Sequence, residues 1–268
     1  MTTLAFAARD SRTMLRRSLR RVVRYPSLTL MLVGMPIVFL LLFVYVFGAT
    51  LGDGIGGAAG TAVAGGRTAY VNYVTPGIIA MTVGAAVNGP AISVAMDMTE
   101  GIIARFKTMA IWRASVLAGH VVASLIQTMI GIALVTGVAL LVGFRPDATV
   151  VDWVAAAGLL AGFAFSLIWL AVALGLSAKS VETASNSPLI LTLLPFLGSG
   201  FVPTDSMPAG LSWFAEYQPF TPVIETLRGL LLGTEIGNSG WLALGWIVVI
   251  GVAGYLWAKS LYNKPRLR

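Results

Sequence analysis

Residues 97–112 have the sequence DMTEGIIARFKTMAIW, a short polar stretch between two long apolar runs. Asp97 and Glu100 have the spacing of a capping box, so we expect a helix that begins at Asp97 and ends at Trp112. Its apolar residues recur at steps of three and four on one face, and its charged residues lie off that face. The helix is too short and too charged to cross a bilayer. It is predicted to lie outside the membrane, against either lipid headgroups or a partner protein.

The apolar content of the chain defines its class. Of the 268 residues, 57% are hydrophobic and 11% are charged, and the mean hydropathy is +0.86. A soluble domain of this length cannot bury so many apolar side chains, so we predict an integral membrane protein. The chain contains no cysteine. That absence excludes disulfides, thiolate metal sites and a cysteine nucleophile.

Six apolar segments predict an all-α membrane protein with six transmembrane helices. Their approximate bounds are 27–49, 74–95, 116–142, 153–176, 188–202 and 241–257. The fifth segment is short for a full crossing and contains Pro195. Ahead of the first span, the arginines of residues 4–24 lie opposite or beside a narrow apolar stripe, which predicts a basic helix on the membrane surface.

Residues 201–237 fit neither a regular span nor a polar loop. Four prolines interrupt this apolar stretch: Pro203, Pro208, Pro219 and Pro222. The pattern predicts two short re-entrant helices, at about 205–235, that dip back into the bilayer before the last span. Glu225 and Arg228 lie three residues apart on the second of these helices, so we expect them to form an ion pair.

The distribution of positive charge predicts the orientation. All but three of the 18 lysines and arginines fall on one side of a six-span topology; the exceptions are Arg67, Arg145 and Arg228. The positive-inside rule therefore places both termini and residues 97–112 in the cytoplasm. It also accounts for the net charge of +7 without a nucleic-acid partner.

Several kinds of chemistry have no basis in this sequence. The phosphate-binding pattern GxxxxGK[ST] and the zinc pattern HExxH are both missing. Ionisable residues inside the spans are almost absent, which argues against a carrier driven by protons or sodium. His120 is the only histidine, so it cannot build a metal site and is expected to make a structural hydrogen bond.

Four residues are candidates for a substrate path by their location alone: Phe39, Phe43, Asn72 and Asn88. The alternative for the phenylalanines is packing against lipid or a neighbouring helix. For each asparagine the alternative is a hydrogen bond between helices.

Three stretches resemble the ABC-2 family of permeases, the membrane halves of bacterial ABC exporters, and within it the drug-resistance branch of the daunorubicin type. They are RYPSLTLMLVGMPIVFLLLFVYVFG at 24–48, DMTEGIIARFKTMAIWRASVLAGHVV at 97–122 and GFVPTDSMPAGLSWFAEYQPFTPVIETLRGLLLG at 200–233. The third is the most specific, because it is similar to the family's F-x-P-x-x-x-M-P and E-x-L-R elements. In the second, Ala110 or Ile111 stands where the family commonly has proline.

The resemblance implies a homodimer joined to two copies of a separate ATPase. That ATPase would bind ATP and Mg, so this chain would hold no cofactor and would not itself be an enzyme. Residues 97–112 would be the coupling helix in a cleft of the ATPase. The coupling residues implied in this way are Asp97, Glu100, Arg105, Phe106, Lys107, Met109, Trp112 and Arg113.

The resemblance also implies that the re-entrant helices close the outer end of a path along the first, second and fifth spans. The gate residues would be Pro208, Trp213, Phe214, Pro219, Glu225 and Arg228. The chain is then a single transmembrane domain, 1–268, of an exporter for an amphipathic drug or lipid-like molecule in the bacterial cytoplasmic membrane. The alternatives are a polysaccharide or lipid-linked glycan exporter of the same family, a secondary carrier, and a membrane scaffold.

Overall fold

The computed structural model describes residues 26–48, 66–102 and 113–263, together with six positions between 12 and 24. Every regular element in these ranges is helical, and they contain no strand. The predicted basic helix 4–24 and the predicted coupling helix lie largely outside them. The described positions of the basic helix are all helical: Arg12, Thr13, Leu15, Arg16, Arg20 and Arg24.

Within the described ranges, four helical stretches are long and apolar enough to cross a membrane: Thr68–Thr99, Leu117–Val142, Val150–Ser177 and Ser239–Asn263. A shorter apolar helix covers Leu32–Phe47. These five correspond to the predicted spans one, two, three, four and six. The expected fifth crossing is not one continuous helix, so the count of six remains a prediction.

The first span is helix α1, Pro26–Leu42, which continues into a π-helical turn, Phe43–Phe47. In a π-helix each N–H bonds five residues back rather than four, so the turn is wider. Along this junction the rings of Phe39 and Phe43 are 6.3 Å apart and those of Phe43 and Phe47 are 5.7 Å apart. The three rings therefore follow one another along the helix.

The second span consists of two helices, α2 (Arg67–Ala85) and α3 (Asn88–Thr99). Pro90 explains the break between them, because proline has no N–H to donate to the carbonyl of Ala86. The span begins at Arg67, seven residues before the predicted Val74. Pro76 lies inside α2.

The third and fourth spans are the uninterrupted helices α4, Arg113–Val142, and α5, Val150–Ser177. Thr149 caps α5 in a capping box. Its hydroxyl accepts from the N–H of Asp152, whose carboxylate accepts from the N–H of Thr149 at 2.9 Å.

The two ends of the bundle are named by the residues that lie there. The end with residues 143–149 is called the 143–149 end, and the opposite end, where α3 stops and α4 starts, is called the 99–113 end.

The predicted fifth span is broken into short pieces: α6, Val181–Asn186; α7, Leu189–Leu193; and a 3₁₀ turn, Leu194–Leu197. Pro188 and Pro195 account for the breaks, since each removes a helical hydrogen bond. A second 3₁₀ turn covers Thr204–Ser206. The predicted pair of short helices follows as α8, Ala209–Tyr217, and α9, Phe220–Leu232.

The last helix, α10, covers Ser239–Asn263 and packs along α5. At Gly254 an added Cβ would lie 2.7 Å from the backbone nitrogen of Leu170, so the two helices touch through their backbones. Helix α5 also packs against α3, α4 and α9 and forms the centre of the bundle.

Candidate functional site

The strongest concentration of buried polar contacts lies where α9 meets α2 and the chain after Leu197. Arg228 on α9 is 7% exposed, and nearly all of its helix is buried. A buried guanidinium within an apolar bundle is costly unless its charge and its N–H groups find partners. The partners of Arg228 therefore determine how this part of the bundle is assembled.

Arg228 joins three segments of the chain. One terminal nitrogen donates to the carboxylate of Glu225, one turn earlier on α9, which confirms the predicted ion pair. The other donates to the backbone carbonyls of Tyr73 at 3.2 Å and Ser199 at 3.0 Å. The guanidinium carbon lies 4.1 Å from the centre of the Tyr73 ring, within range of a cation–π interaction. We call Tyr73, Ser199, Glu225 and Arg228 the Arg228 cluster.

Tyr73 closes the cluster from α2. Its hydroxyl donates to the carbonyl of Ser199 at 3.0 Å, so that oxygen accepts from both Tyr73 and Arg228. The N–H of Ser199 donates to Thr221 Oγ1 at 3.3 Å. Both backbone polar groups of Ser199 are thus bound to neighbouring helices, whereas its buried side-chain oxygen has no hydrogen-bond partner in the described part of the chain.

Backbone contact brings the same segments together beside the cluster. A Cβ on Gly77 of α2 would lie 2.5 Å from the carbonyl oxygen of Gly200 and 2.6 Å from its Cα. Real Cβ atoms do not approach backbone that closely, so only glycine fits at position 77. At Gly77 and Gly200, helix α2 and residues 198–201 therefore pack backbone to backbone.

The start of α9 is held by Gln218. Its side-chain nitrogen donates to Thr221 Oγ1 at 3.1 Å, and its side-chain oxygen accepts from the N–H of Phe220 at 3.1 Å. Pro208 and Pro219 are the residues that precede α8 and α9, and Gly233 ends α9 with a φ of 70°. Trp213 and Phe214 lie on the exposed side of α8. The predicted gate residues thus lie on or next to two helices, and of the six only Glu225 and Arg228 belong to the Arg228 cluster.

An aromatic group links α1 to the same region. Phe196 and Phe201 stack with ring centres 4.9 Å apart; Phe39 packs on Phe196 at 5.3 Å and Phe43 on Phe201 at 4.7 Å. Packing between helices, the alternative considered for Phe39 and Phe43, is confirmed. Contact with a substrate remains a prediction for both.

The two asparagines of the second span make hydrogen bonds within the protein. Asn88 donates to Thr192 Oγ1 on α7 at 3.3 Å and to the carbonyl of Ala85 at 3.1 Å. Asn72 accepts from the N–H of Arg145 at 3.1 Å. The interhelical hydrogen bond is confirmed for Asn88, and Asn72 instead ties α2 to the 143–149 connection.

The 99–113 end contains a second buried polar pair. His120 Nε2 on α4 lies 3.0 Å from Asp97 Oδ2 on α3, with 7% and 0% of the two side chains exposed. The predicted structural hydrogen bond of His120 is confirmed. The predicted helix start at Asp97 is wrong, because Asp97 lies in the last turn of α3 and Glu100 is the C-cap of that helix. The capping-box spacing is local, and burial of Asp97 against His120 overrides it.

The remaining predicted coupling residues follow Glu100 in the sequence, up to the start of α4. Gly101, with a φ of 69°, follows the C-cap of α3, and Arg113 begins α4. The other positions lie outside the described residues: Arg105, Phe106, Lys107, Met109 and Trp112.

Three residues in or next to the Arg228 cluster were not predicted from the sequence: Tyr73, Ser199 and Gln218. The one sequence feature that could have indicated them is that each is a polar side chain inside or beside an apolar stretch. No spacing pattern connects Tyr73 to Ser199, which is 126 residues away, or Arg228 to Tyr73, which is 155 residues away.

A bundle of helices long and apolar enough to cross a membrane, with one broken segment and with α9 fastened to α2 and Ser199 by a buried arginine, is the architecture of a multi-pass membrane protein. Residues 9–232 match the ABC-2 type transporter family. That match covers most of the chain, and the protein belongs to this family.

Similar proteins of known name are permeases. The chain is 28% identical over 231 residues to the daunorubicin resistance ABC transporter permease protein DrrB1 of Streptomyces coeruleorubidus, a match that covers 86% of this chain and 77% of the relative. It is 26% identical over 181 residues to the probable doxorubicin resistance ABC transporter permease protein DrrC of Mycobacterium tuberculosis. That second match spans 64% of each protein.

Proposed function

We propose that this chain is the permease subunit of an ATP-driven exporter and that it moves an amphipathic drug or lipid-like molecule out across the bacterial cytoplasmic membrane. The family match over residues 9–232 carries this proposal, because it covers the first five predicted spans and both short helices. The names of the two relatives favour a drug as the transported molecule. A separate ATP-binding subunit supplies the energy.

The working unit in this proposal is two copies of the chain and two copies of the ATPase. The segment after Gly101 docks in a cleft of the ATPase. Phe106, Met109 and Trp112 are its apolar anchors, and nearby basic residues fix its orientation. Asp97 is fully buried in the chain, so its part in coupling is internal rather than in the docking surface.

The short helices α8 and α9 close the path at the 143–149 end, which faces the outside. The Arg228 cluster supports this role because one side chain holds α9, α2 and the chain around Ser199 together. A group that bonds three segments gives the closed state a defined geometry. Opening requires these bonds to exchange partners, as expected of a two-state element.

Loss of an apolar anchor is expected to weaken the assembly with the ATPase. The chain is expressed with its neighbouring reading frame and purified by a tag, and the recovery of a protein with GxxxxGK[ST] is measured. Phe106→Ala or Trp112→Ala should lower the affinity roughly 30-fold, the effect of losing about 2 kcal/mol at an interface hot spot. Trp241→Ala, at an exposed tryptophan of α10, is the control and should leave recovery unchanged.

If the parent chain purifies alone as a stable oligomer, the exporter proposal fails and the scaffold or carrier alternatives take its place. If the ATPase is recovered but both anchor variants bind it normally, the docking surface lies elsewhere on the chain.

The orientation has its own test, which the lack of natural cysteine makes simple. A single cysteine in place of the exposed Asp147 should react with a membrane-impermeant maleimide in intact cells. A single cysteine in place of the exposed Lys179 should react only after the cells are permeabilised. The reverse pattern would place the termini outside.

A further inference from the structure

The Asp97–His120 pair connects the two helices that flank the segment between Gly101 and Arg113. Asp97 lies three residues before the C-cap of α3, and His120 lies about two turns into α4. The pair has a separation of 3.0 Å and is almost completely shielded from solvent. The end of α3 and the first turns of α4 are therefore joined by a buried polar contact.

Two ionisable side chains at a buried position in a membrane protein need a reason to be there. Desolvation makes such a pair a poor source of net stability, and apolar residues of similar size would pack there at less cost. Buried ionisable residues in the helical bundle of a membrane protein are for this reason associated with function. Aside from the pair Glu225–Arg228, no other carboxylate is paired with a basic side chain in the described part of the bundle.

We propose that His120 and Asp97 are positioning residues that make α3 and α4 move as one unit, so that displacement of the segment between them reaches the opposite end of the bundle. This inference rests on the proposed function, since it assigns the ATPase as the source of that displacement. The contact resists separation of the two helix ends when the segment between them is displaced.

The route from this pair to the 143–149 end is continuous in the structure. Helix α3 is joined to α2 through Ala86 and Val87, and α2 carries both Tyr73 and Gly77. Helix α4 packs against both α2 and α5. A rigid α3–α4 unit therefore acts on the helix that holds the Arg228 cluster.

The reporter is a single cysteine at Ser199, a buried side chain whose oxygen has no hydrogen-bond partner in the described ranges. Ser199→Cys is nearly isosteric, and the chain has no other cysteine to react. In the complex with its ATPase, the rate of reaction with a membrane-impermeant maleimide is measured with and without ATP plus vanadate. The ratio of the two rates reports how far nucleotide binding opens the 143–149 end.

Three variants are compared in this background. His120→Leu, which removes the polar contact, should bring the nucleotide-dependent ratio close to one. His120→Gln places an amide nitrogen near the position of Nε2 and should keep most of the parent ratio. Thr128→Val is the matched control on the same helix; it removes a buried hydroxyl that bonds only the carbonyl of Ser124, so the ratio should not change.

A purely structural role would lower the yield or Tm of His120→Leu and leave the ratio of the folded complex at the parent value. That result overturns the inference.

If His120→Leu does not accumulate in the membrane, His120→Asn is used in its place, because the shorter side chain of asparagine does not reach Asp97. A ratio like that of the parent in His120→Asn also overturns the inference. If the ATPase binds but nucleotide does not change labelling of the parent, the proposed function fails together with this inference. Coupling through the contact is supported if His120→Gln keeps the parent ratio while His120→Leu loses it.

Discussion

Replacing Arg228 with leucine is expected to destabilise the protein by about 3 kcal/mol and to abolish transport, because each buried group that Arg228 binds then loses a hydrogen-bond donor or a counter-ion. The carbonyls of Tyr73 and Ser199 each lose a donor, and Glu225 loses its counter-ion. Thermal unfolding of the purified chain in detergent measures the first effect. Export of a fluorescent amphipathic drug, the class of molecule named in the proposed function, from cells that express the complete transporter measures the second.

Two milder variants define the cause of this loss. Arg228→Lys keeps the charge but loses the planar fork that reaches both carbonyls and the Tyr73 ring, so it should fall between the parent and Arg228→Leu. Glu225→Gln should cost least, since Glu225 is 33% exposed and water replaces part of its interaction. An unchanged Tm and normal export in Arg228→Leu would show that the cluster neither holds nor gates this end of the bundle.

Gly77→Ala is expected to lower the stability of the bundle, although the same substitution in a helix usually raises stability. Alanine normally stabilises a helix interior by about 1 kcal/mol relative to glycine. At position 77 the new methyl group would lie 2.5 Å from the Gly200 carbonyl oxygen, and both partners are backbone, so α2 must move away from residues 198–201. Overpacking of this kind costs typically about 1–3 kcal/mol, and separation of the segments would also weaken the Arg228 cluster.

The matched control is Gly137→Ala in α4, where an added Cβ has no atom within 4 Å. That variant should be neutral or slightly more stable in the same detergent unfolding experiment. If Gly77→Ala behaves like Gly137→Ala, the backbone contact with Gly200 does not exist in the membrane.

The features that the sequence predicts correctly have local causes. Apolar runs predict the long helices to within four residues, except that the second span begins seven residues earlier and the last helix ends six residues later than predicted. The three-residue spacing predicts the Glu225–Arg228 pair. Proline positions predict that the fifth segment and residues 201–237 are irregular, since each proline removes a backbone donor at a known place.

The features that the sequence does not predict depend on contacts between distant segments. Asp97 fits a capping box by its neighbours, but its burial depends on His120, and no local pattern reports that contact. The same holds for Tyr73 and Ser199, whose polar groups are matched only after α2, α9 and the chain after Leu197 have packed. The segments that meet in the Arg228 cluster are identified by tertiary structure alone.

The π-helical turn at Phe43–Phe47 makes the first span sensitive to insertions and deletions rather than to substitutions. It accommodates one residue more per hydrogen-bonded turn than an α-helix does. Deleting a single residue there would restore regular α-helix and rotate Phe47 relative to Phe39, although every remaining side chain would be unchanged. In relatives of this protein, the number of residues between the positions of Phe39 and Phe47 therefore determines whether the row of rings is kept. A one-residue alignment gap at this point would change the structure more than any exchange of one apolar residue for another.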